Sequence, residues 1–331
     1  MKIQSNKFVL SWVDLQVAPL ELKPSYTLNM GQCFNWKKIV GPNEDENWIG
    51  VINRTPYLIK QAHETTLYLN LQNKERNLND SLIRDYFQLG INMQHLGEEF
   101  SNSCVRFSSL YRYLQGIRIL RQDPWECLIS FICSSNNNIK RISQMLAKLR
   151  EKYGVYIGKL NSFDGIFEWN SEGNRAELSL SSSYCCDSGK EDVTNSPPRL
   201  KSIPTTFQTT PKQKQLINSQ SIAGDSQPEV MTPHSRGGND DLVEVDSKAN
   251  ESIVVLYAFP TVESIASATE ADLRSIGMGY RAKYLIRTAQ MVRDMGGEQW
   301  LHSLRLKSRE EVQNELLKLP GEYSVVMMTG L

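Results

Sequence analysis

Asp123-Pro124-Trp125-Glu126 and, shortly after it, Ser134-Ser135-Asn136-Asn137-Asn138-Ile139-Lys140-Arg141 decide how this chain of 331 residues is read. Asp123 suits a helix N-cap, Pro124 the first helical position, and Glu126 lies three residues after the cap. Leu128, Phe131 and Ile132 supply an apolar stripe for that helix. The Ser/Asn block then interrupts it, because these side chains compete with helical hydrogen bonds. A second helix follows with Ile139, Ile142, Leu146 and Leu149. Lys140, Arg141, Lys148, Arg150 and Lys152 fall on its polar positions. The expected unit is therefore helix–loop–helix, with amides and two cations at the junction.

Working outward, residues from Cys33 to Leu71 read as β. Short apolar runs alternate with turns at Gly41-Pro42-Asn43 and Arg54-Thr55-Pro56, as in an antiparallel meander with one buried face. Asp80 caps a helix that carries Leu82, Ile83, Tyr86, Phe87 and Leu89. Residues from about 161 to 251 hold six of the thirteen prolines and fourteen serines with no apolar period, which predicts a disordered insert. Short islands around Phe163, Ile166, Phe167 and Trp169 could pack locally. Helical signals return at Phe259-Pro260. Gly279-Tyr280-Arg281 leads into a helix, Ser308 with Glu311 forms a capping box, and Leu319-Pro320-Gly321 ends a further helix.

Composition excludes several classes. No apolar run approaches the roughly 20 residues of a membrane helix. Six cysteines without CxxC spacing and four histidines argue against zinc fingers, iron–sulfur clusters and disulfide scaffolds, and point to a reducing compartment. No P-loop, GxSxG, dinucleotide loop or HExxH is present. The net charge of zero is a cancellation. Residues 161–250 carry thirteen acidic and eight basic side chains, whereas Arg106–Lys159 carries ten basic and three acidic. Such a basic block suits either a solvated face or a polyanion partner.

Five motifs occur in order: Gly31-Gln32-Cys33-Phe34-Asn35-Trp36, Leu120-Arg121-Gln122-Asp123-Pro124, Phe131 to Ile139, Gly277-Met278-Gly279-Tyr280-Arg281-Ala282-Lys283-Tyr284, and Leu319-Pro320-Gly321. Together they closely resemble the eukaryotic 8-oxoguanine DNA glycosylase/AP lyase family of the helix-hairpin-helix superfamily, over residues 8–160 and 252–321. The resemblance implies an α+β fold in which an antiparallel β domain precedes a helical glycosylase domain. It implies base-excision repair of duplex DNA containing 8-oxoguanine opposite cytosine, by a monomer, in the nucleus or the mitochondrion. No metal, organic cofactor or membrane is implied. The carbonyl of Gly31 would read the N7 hydrogen that distinguishes 8-oxoguanine from guanine. Arg141 and Arg281 match the donors to the orphaned cytosine, Asn136 the residue entering the vacated space, and Tyr280 the wedge against neighbouring bases.

The resemblance fails at the end of the chain. The family's strand-cleaving lysine, four residues after Leu-Pro-Gly, is Val325 here, and the last lysine is Lys318 on the preceding helix. A Schiff base needs an amine. No catalytic residue is therefore assigned, and the chain is expected to lack lyase activity and most or all glycosylase activity. Gly321-Glu322-Tyr323 can be encoded by a sequence resembling a splice donor, so a truncated product or a gene-model error is expected. The expected layout is a β domain at 1–105, helical segments at 106–160 and 252–321, the insert at 161–251, and an aberrant tail at 322–331. The alternatives are a non-catalytic protein that binds damaged or duplex DNA, and a non-functional splice product.

Overall fold

A computed structural model describes residues 7–40, 46–72, 80–161, 166–169, 175–178 and 253–320. After an initial strand β1 (Lys7–Leu10), the chain builds an antiparallel sheet. Its strands are β2 (Val13–Asp14), β3 (Lys37–Val40), β4 (Glu46–Ile52), β5 (Thr55–Gln61) and β6 (Thr66–Asn70). A short helix α1 (Pro24–Thr27) lies between β2 and β3, and the strand order is β2-β6-β5-β4-β3. The β4–β5 turn is the pair Asn53-Arg54, with φ of 44° and 68°. Two left-handed residues match the right-handed twist of the flanking strands.

The meander was expected to bury one face, but both are buried. Trp48, Ile52, Tyr57, Ile59 and Tyr68 pack on one side with Ile83, Tyr86 and Phe87. These three come from helix α2 (Ser81–Tyr86) and the residue that follows it. The Asp80 carboxylate caps this helix, accepting from the N–H groups of Leu82 and Ile83. The intervening residues Ile49, Val51, Leu58 and Leu69 face the opposite way, as the two-residue period of a strand requires. A second sheet covers them.

That second sheet comprises β7 (Tyr156–Asn161), β8 (Ile166–Trp169), β9 (Arg175–Leu178) and β10 (Ile253–Tyr257), in the order β1-β9-β8-β7-β10. Ile157, Leu160, Phe167, Val254 and Leu256 meet the first sheet. For residues 166–169 and 175–178 this corrects the expectation of disorder. Phe167 is fully buried, and the apolar island around it is a strand paired along β7. The remainder of 161–251 lies outside the described residues, apart from Asn161 at the end of β7. The expected tail at 322–331, with Val325, also lies outside them. The insert leaves from a hairpin, since Asn161 and Ile253 pair across β7 and β10.

The helices are α3 (Met93–Ser103), α4 (Val105–Leu114), α5 (Pro124–Ser134) and α6 (Ile139–Tyr153), then α7 (Val262–Ala266), α8 (Glu270–Ser275), α9 (Arg281–Asp294), α10 (Gly297–Ser303) and α11 (Arg309–Leu316). Asp123 caps α5 as expected, its carboxylate accepting from the Glu126 N–H at 3.0 Å. Ser308 and Glu311 close a capping box on α11. Leu128, Ile132, Leu146 and Leu149 share one core with Val262, Leu285, Ala289, Leu301 and Leu319. Segments on either side of the insert therefore form a single hydrophobic body.

If the second sheet is integral to the fold, Phe167→Ala should destabilise the protein by about 3–5 kcal/mol, as truncation of a fully buried aromatic does. Urea unfolding followed by tryptophan fluorescence measures this. A cost below about 1 kcal/mol would detach β8 from the folded body.

Candidate nucleic-acid interface

The three asparagines between α5 and α6 have different tasks. The Asn137 side chain donates to the Cys133 carbonyl at 2.9 Å, closing the end of α5. The Asn138 side chain accepts from the Arg141 N–H at 2.9 Å, capping α6. Asn136 takes the left-handed region with φ of 47°, a conformation asparagine tolerates better than most residues. It is exposed, and its side chain has no hydrogen-bond partner among the described residues. Two asparagines shape the loop and present the third to solvent.

The N-terminus of α9 braces this loop from behind. Arg281 is 3% exposed, and its Nη2 donates to the carbonyls of Ser135 and Asn136. The Tyr280 hydroxyl donates to the same Ser135 carbonyl at 3.2 Å. The Arg281 guanidinium lies 4.6 Å from the centre of the Tyr280 ring, and about half of Tyr280 remains exposed. Helical spacing puts Tyr280, Lys283, Tyr284 and Arg287 on the exposed face of α9, while Ala282, Leu285 and Ala289 enter the core. Arg141 is exposed on the first turn of α6, and its side chain makes no ion pair among the described residues. The two expected cytosine donors thus differ: Arg141 is free, and Arg281 is engaged with the loop it supports.

Gly31 completes the cluster. Its φ is +80°, and a Cβ there would lie 2.9 Å from Cδ1 of Ile139, the first residue of α6. The Gly31 turn and the asparagine loop therefore adjoin. Among the described residues, the Gly31 carbonyl accepts no hydrogen bond. Its neighbours are fixed by contacts that the sequence did not reveal. The Gln32 side chain donates to the carbonyls of Thr27 and Arg118, and Gln122 donates to the Gln32 carbonyl. Both glutamines stand inside the quoted motifs, but their partners lie up to 90 residues away.

Other chemistries fare poorly. Burial raises the thiols of Cys33 and Cys133 to about 12, so neither is a thiolate nucleophile near neutral pH. The Lys318 amine, two residues past the end of α11, donates to the Glu315 carboxylate at 2.8 Å and so turns back on that helix. Among the described residues, no group of three His, Cys, Asp or Glu could hold a metal ion.

The family model for the N-terminal domain of 8-oxoguanine DNA glycosylase matches residues 14–128, and that for helix-hairpin-helix superfamily base excision DNA repair proteins matches residues 243–326. The chain carries the N-terminal domain of the 8-oxoguanine DNA glycosylases followed by a helix-hairpin-helix base excision repair domain. The N-glycosylase/DNA lyase OGG1 of Arabidopsis thaliana is 24% identical over 316 residues, covering 94% of this chain and 60% of that protein. The N-glycosylase/DNA lyase of Saccharomyces cerevisiae is 26% identical over 285 residues, covering 83% and 51%. The chain thus spans about half to three-fifths of the length of these relatives. Among solved structures, MBOgg1 with a low-affinity DNA ligand superposes with a TM-score of 0.58 at 20% identity, over 95% of this chain and 73% of that one. The Clostridium acetobutylicum 8-oxoguanine glycosylase/lyase, bound to duplex DNA with cytosine opposite 8-oxoguanine, gives 0.56 at 20% identity, over 93% and 72%. The glycosylase family fold is thus present on both sides of the insert.

Gly31→Ala should cost about 1–2 kcal/mol, the strain of a side chain in the left-handed region. Contact with Ile139 adds less, because that side chain is 56% exposed and its tip can turn away. Chemical denaturation tests this. Unchanged stability would show that the Gly31 backbone relaxes out of its turn.

Proposed function

We propose that this chain reads 8-oxoguanine opposite cytosine in duplex DNA, as the lesion-recognising body of a base-excision repair glycosylase. The observation that carries this reading is the uncommitted Gly31 carbonyl on a left-handed turn, set beside the Asn136 loop. 8-Oxoguanine presents an N7 hydrogen where guanine has a lone pair. The carbonyl gains a hydrogen bond of about 0.5–1.5 kcal/mol from the first, and meets an unpaired acceptor costing about 1–3 kcal/mol with the second.

Once the lesion is extruded, its cytosine shows acceptors at N3 and O2. Arg141 supplies the free guanidinium. Arg281 uses Nη2 to hold the loop, leaving its Nη1 donors for the base. Asn136 enters the space the lesion has left, and Tyr280 presses on the adjoining pair. Phosphates would be met by Lys140, Lys283 and Arg287, exposed beside this cluster. The protein acts as a monomer, and the substrate places it in the nucleus, with mitochondrial DNA as the second location. Strand cleavage is not assigned to this chain, because Val325 offers no amine and Lys318 is tied to Glu315.

Equilibrium binding to matched duplexes tests the reading. Affinity for 8-oxoguanine·cytosine should exceed that for guanine·cytosine by ten- to a thousandfold, following the energies above at about 1.4 kcal/mol per decade. The slope of log K against log salt should be about −2 to −3 for three phosphate cations. Equal affinity for the two duplexes would remove the role of Gly31, and a flat salt response would remove the interface.

A further inference from the structure

Arg150 sits among the lysines of α6 in sequence, and the helical pattern places it with them on the polar side. The structure buries it instead, leaving its side chain 9% exposed. Its fork is divided. Nη2 meets Oε1 of Glu126, on the first turn of α5, at 2.6 Å, and Nη1 donates to the Phe34 carbonyl at 3.2 Å. The flat face of the guanidinium lies 5.2 Å from the centre of the Phe259 ring. Burial pushes the Glu126 carboxyl up, and the Arg150 charge beside it pulls it back toward ionisation.

A buried ion pair is weak evidence of added stability, because desolvation offsets the attraction, and apolar residues often fill the same space as well. What this pair adds is a fixed position for one carbonyl. Phe34 is three residues after Gly31, in a segment outside any helix or strand. Through Asn35 that segment borders a cleft of about 290 Å3, also lined by Val51, Trp125, Glu126, Arg150 and Phe259. Cys33 and Trp36 anchor the segment in the core and the Asn35 side chain donates to the Val51 carbonyl, while the Arg150 bond fixes the direction of the Phe34 carbonyl between them. The same helix touches the segment a second time, where Ile139 abuts Gly31. These positions are about 16 Å apart along α6 at 1.5 Å per residue. Two contacts so separated fix the segment's orientation as well as its distance.

We propose that Arg150 is a positioning residue for lesion recognition, setting the Gly31 carbonyl in register with the Asn136–Arg141 end of the same helix. The proposal rests on the reading of Gly31 given above. Arginine is needed because one planar fork reaches two acceptors in fixed geometry, whereas a lysine is a single point charge.

The test uses the full chain with Arg150→Met and Arg150→Lys. Binding to 8-oxoguanine·cytosine and guanine·cytosine duplexes is measured beside urea unfolding. Arg150→Met should carry the preference for the lesion toward unity, with guanine·cytosine affinity kept within about twofold because phosphate contacts are untouched. Arg150→Lys, which keeps the charge beside Glu126 and loses one of the two bonds, should retain part of the preference. It carries the test alone should the methionine variant fail to fold. A purely structural role would weaken both duplexes together in step with the folded fraction, and that result overturns the proposal. So does a folded variant with the wild-type preference. If the wild-type chain shows no preference, the reading of Gly31 itself has failed. That is a separate outcome from a wild-type preference that Arg150 does not influence.

Discussion

The candidate interface depends on a buried guanidinium at the end of a helix. The last carbonyls of α5 have no partners within the helix, and the helix dipole leaves that end negative. The Ser135 and Asn136 carbonyls just beyond it face inward as the chain turns toward α6. Arg281 answers both needs, bringing charge to the negative end and donating to the two carbonyls. Because Arg281 opens α9, the contact binds a segment that follows the insert to one that precedes it. Removing the guanidinium would leave the Asn136 carbonyl without a donor and the Ser135 carbonyl with the Tyr280 hydroxyl alone, and the left-handed turn at Asn136 would lose its support. The Nε of Arg281 is itself buried without a partner, so this geometry is held at some cost.

The second sheet explains how a long insert is tolerated. Ile49, Val51, Leu58 and Leu69 would form an apolar surface on the first sheet if nothing lay over them. β7, β8 and β10 cover that surface, and β7 pairs with β10 where the insert begins and ends. A loop whose ends are hydrogen-bonded partners adds little closure entropy as it lengthens, since the cost grows only with the logarithm of its length. The insert can therefore be long without separating the two halves of the helical core.

Features that depend on neighbours in sequence were legible there. The Asp123 cap, the Ser308–Glu311 box, strands β3 to β6 and the start of α9 all follow from local spacing. Illegible features join residues far apart. Arg150 was placed with solvated lysines because periodicity cannot anticipate a carbonyl 116 residues away. β10 was missed because Ile253-Val254-Val255-Leu256-Tyr257 is an uninterrupted apolar run, short enough to be read as either strand or helix. Within the candidate site, the motifs identified Gly31, Asn136, Arg141, Tyr280 and Arg281, and the structure gathers these residues around one junction. Which of the two arginines is free could not be read from the chain, because it depends on which carbonyls α9 happens to meet.

The basic block shows why a charge count overstates an electrostatic surface. Half of its ten cations are already paired within the protein: Arg118 with Glu21, Arg121 with Asp85, Arg150 with Glu126, Lys152 with Asp272 and Lys159 with Glu168. Arg118 and Arg150 are buried and hold backbone carbonyls, so they serve the fold. The five without a carboxylate partner among the described residues are divided between α4 (Arg106 and Arg112) and α6 (Lys140, Arg141 and Lys148). Only Lys140 and Arg141 adjoin the asparagine loop, where Lys283 and Arg287 of α9 join them from outside the block. The polyanion surface proposed for this chain thus draws on two helix starts rather than on one segment, and Arg281 bonds the loop of one start from the other.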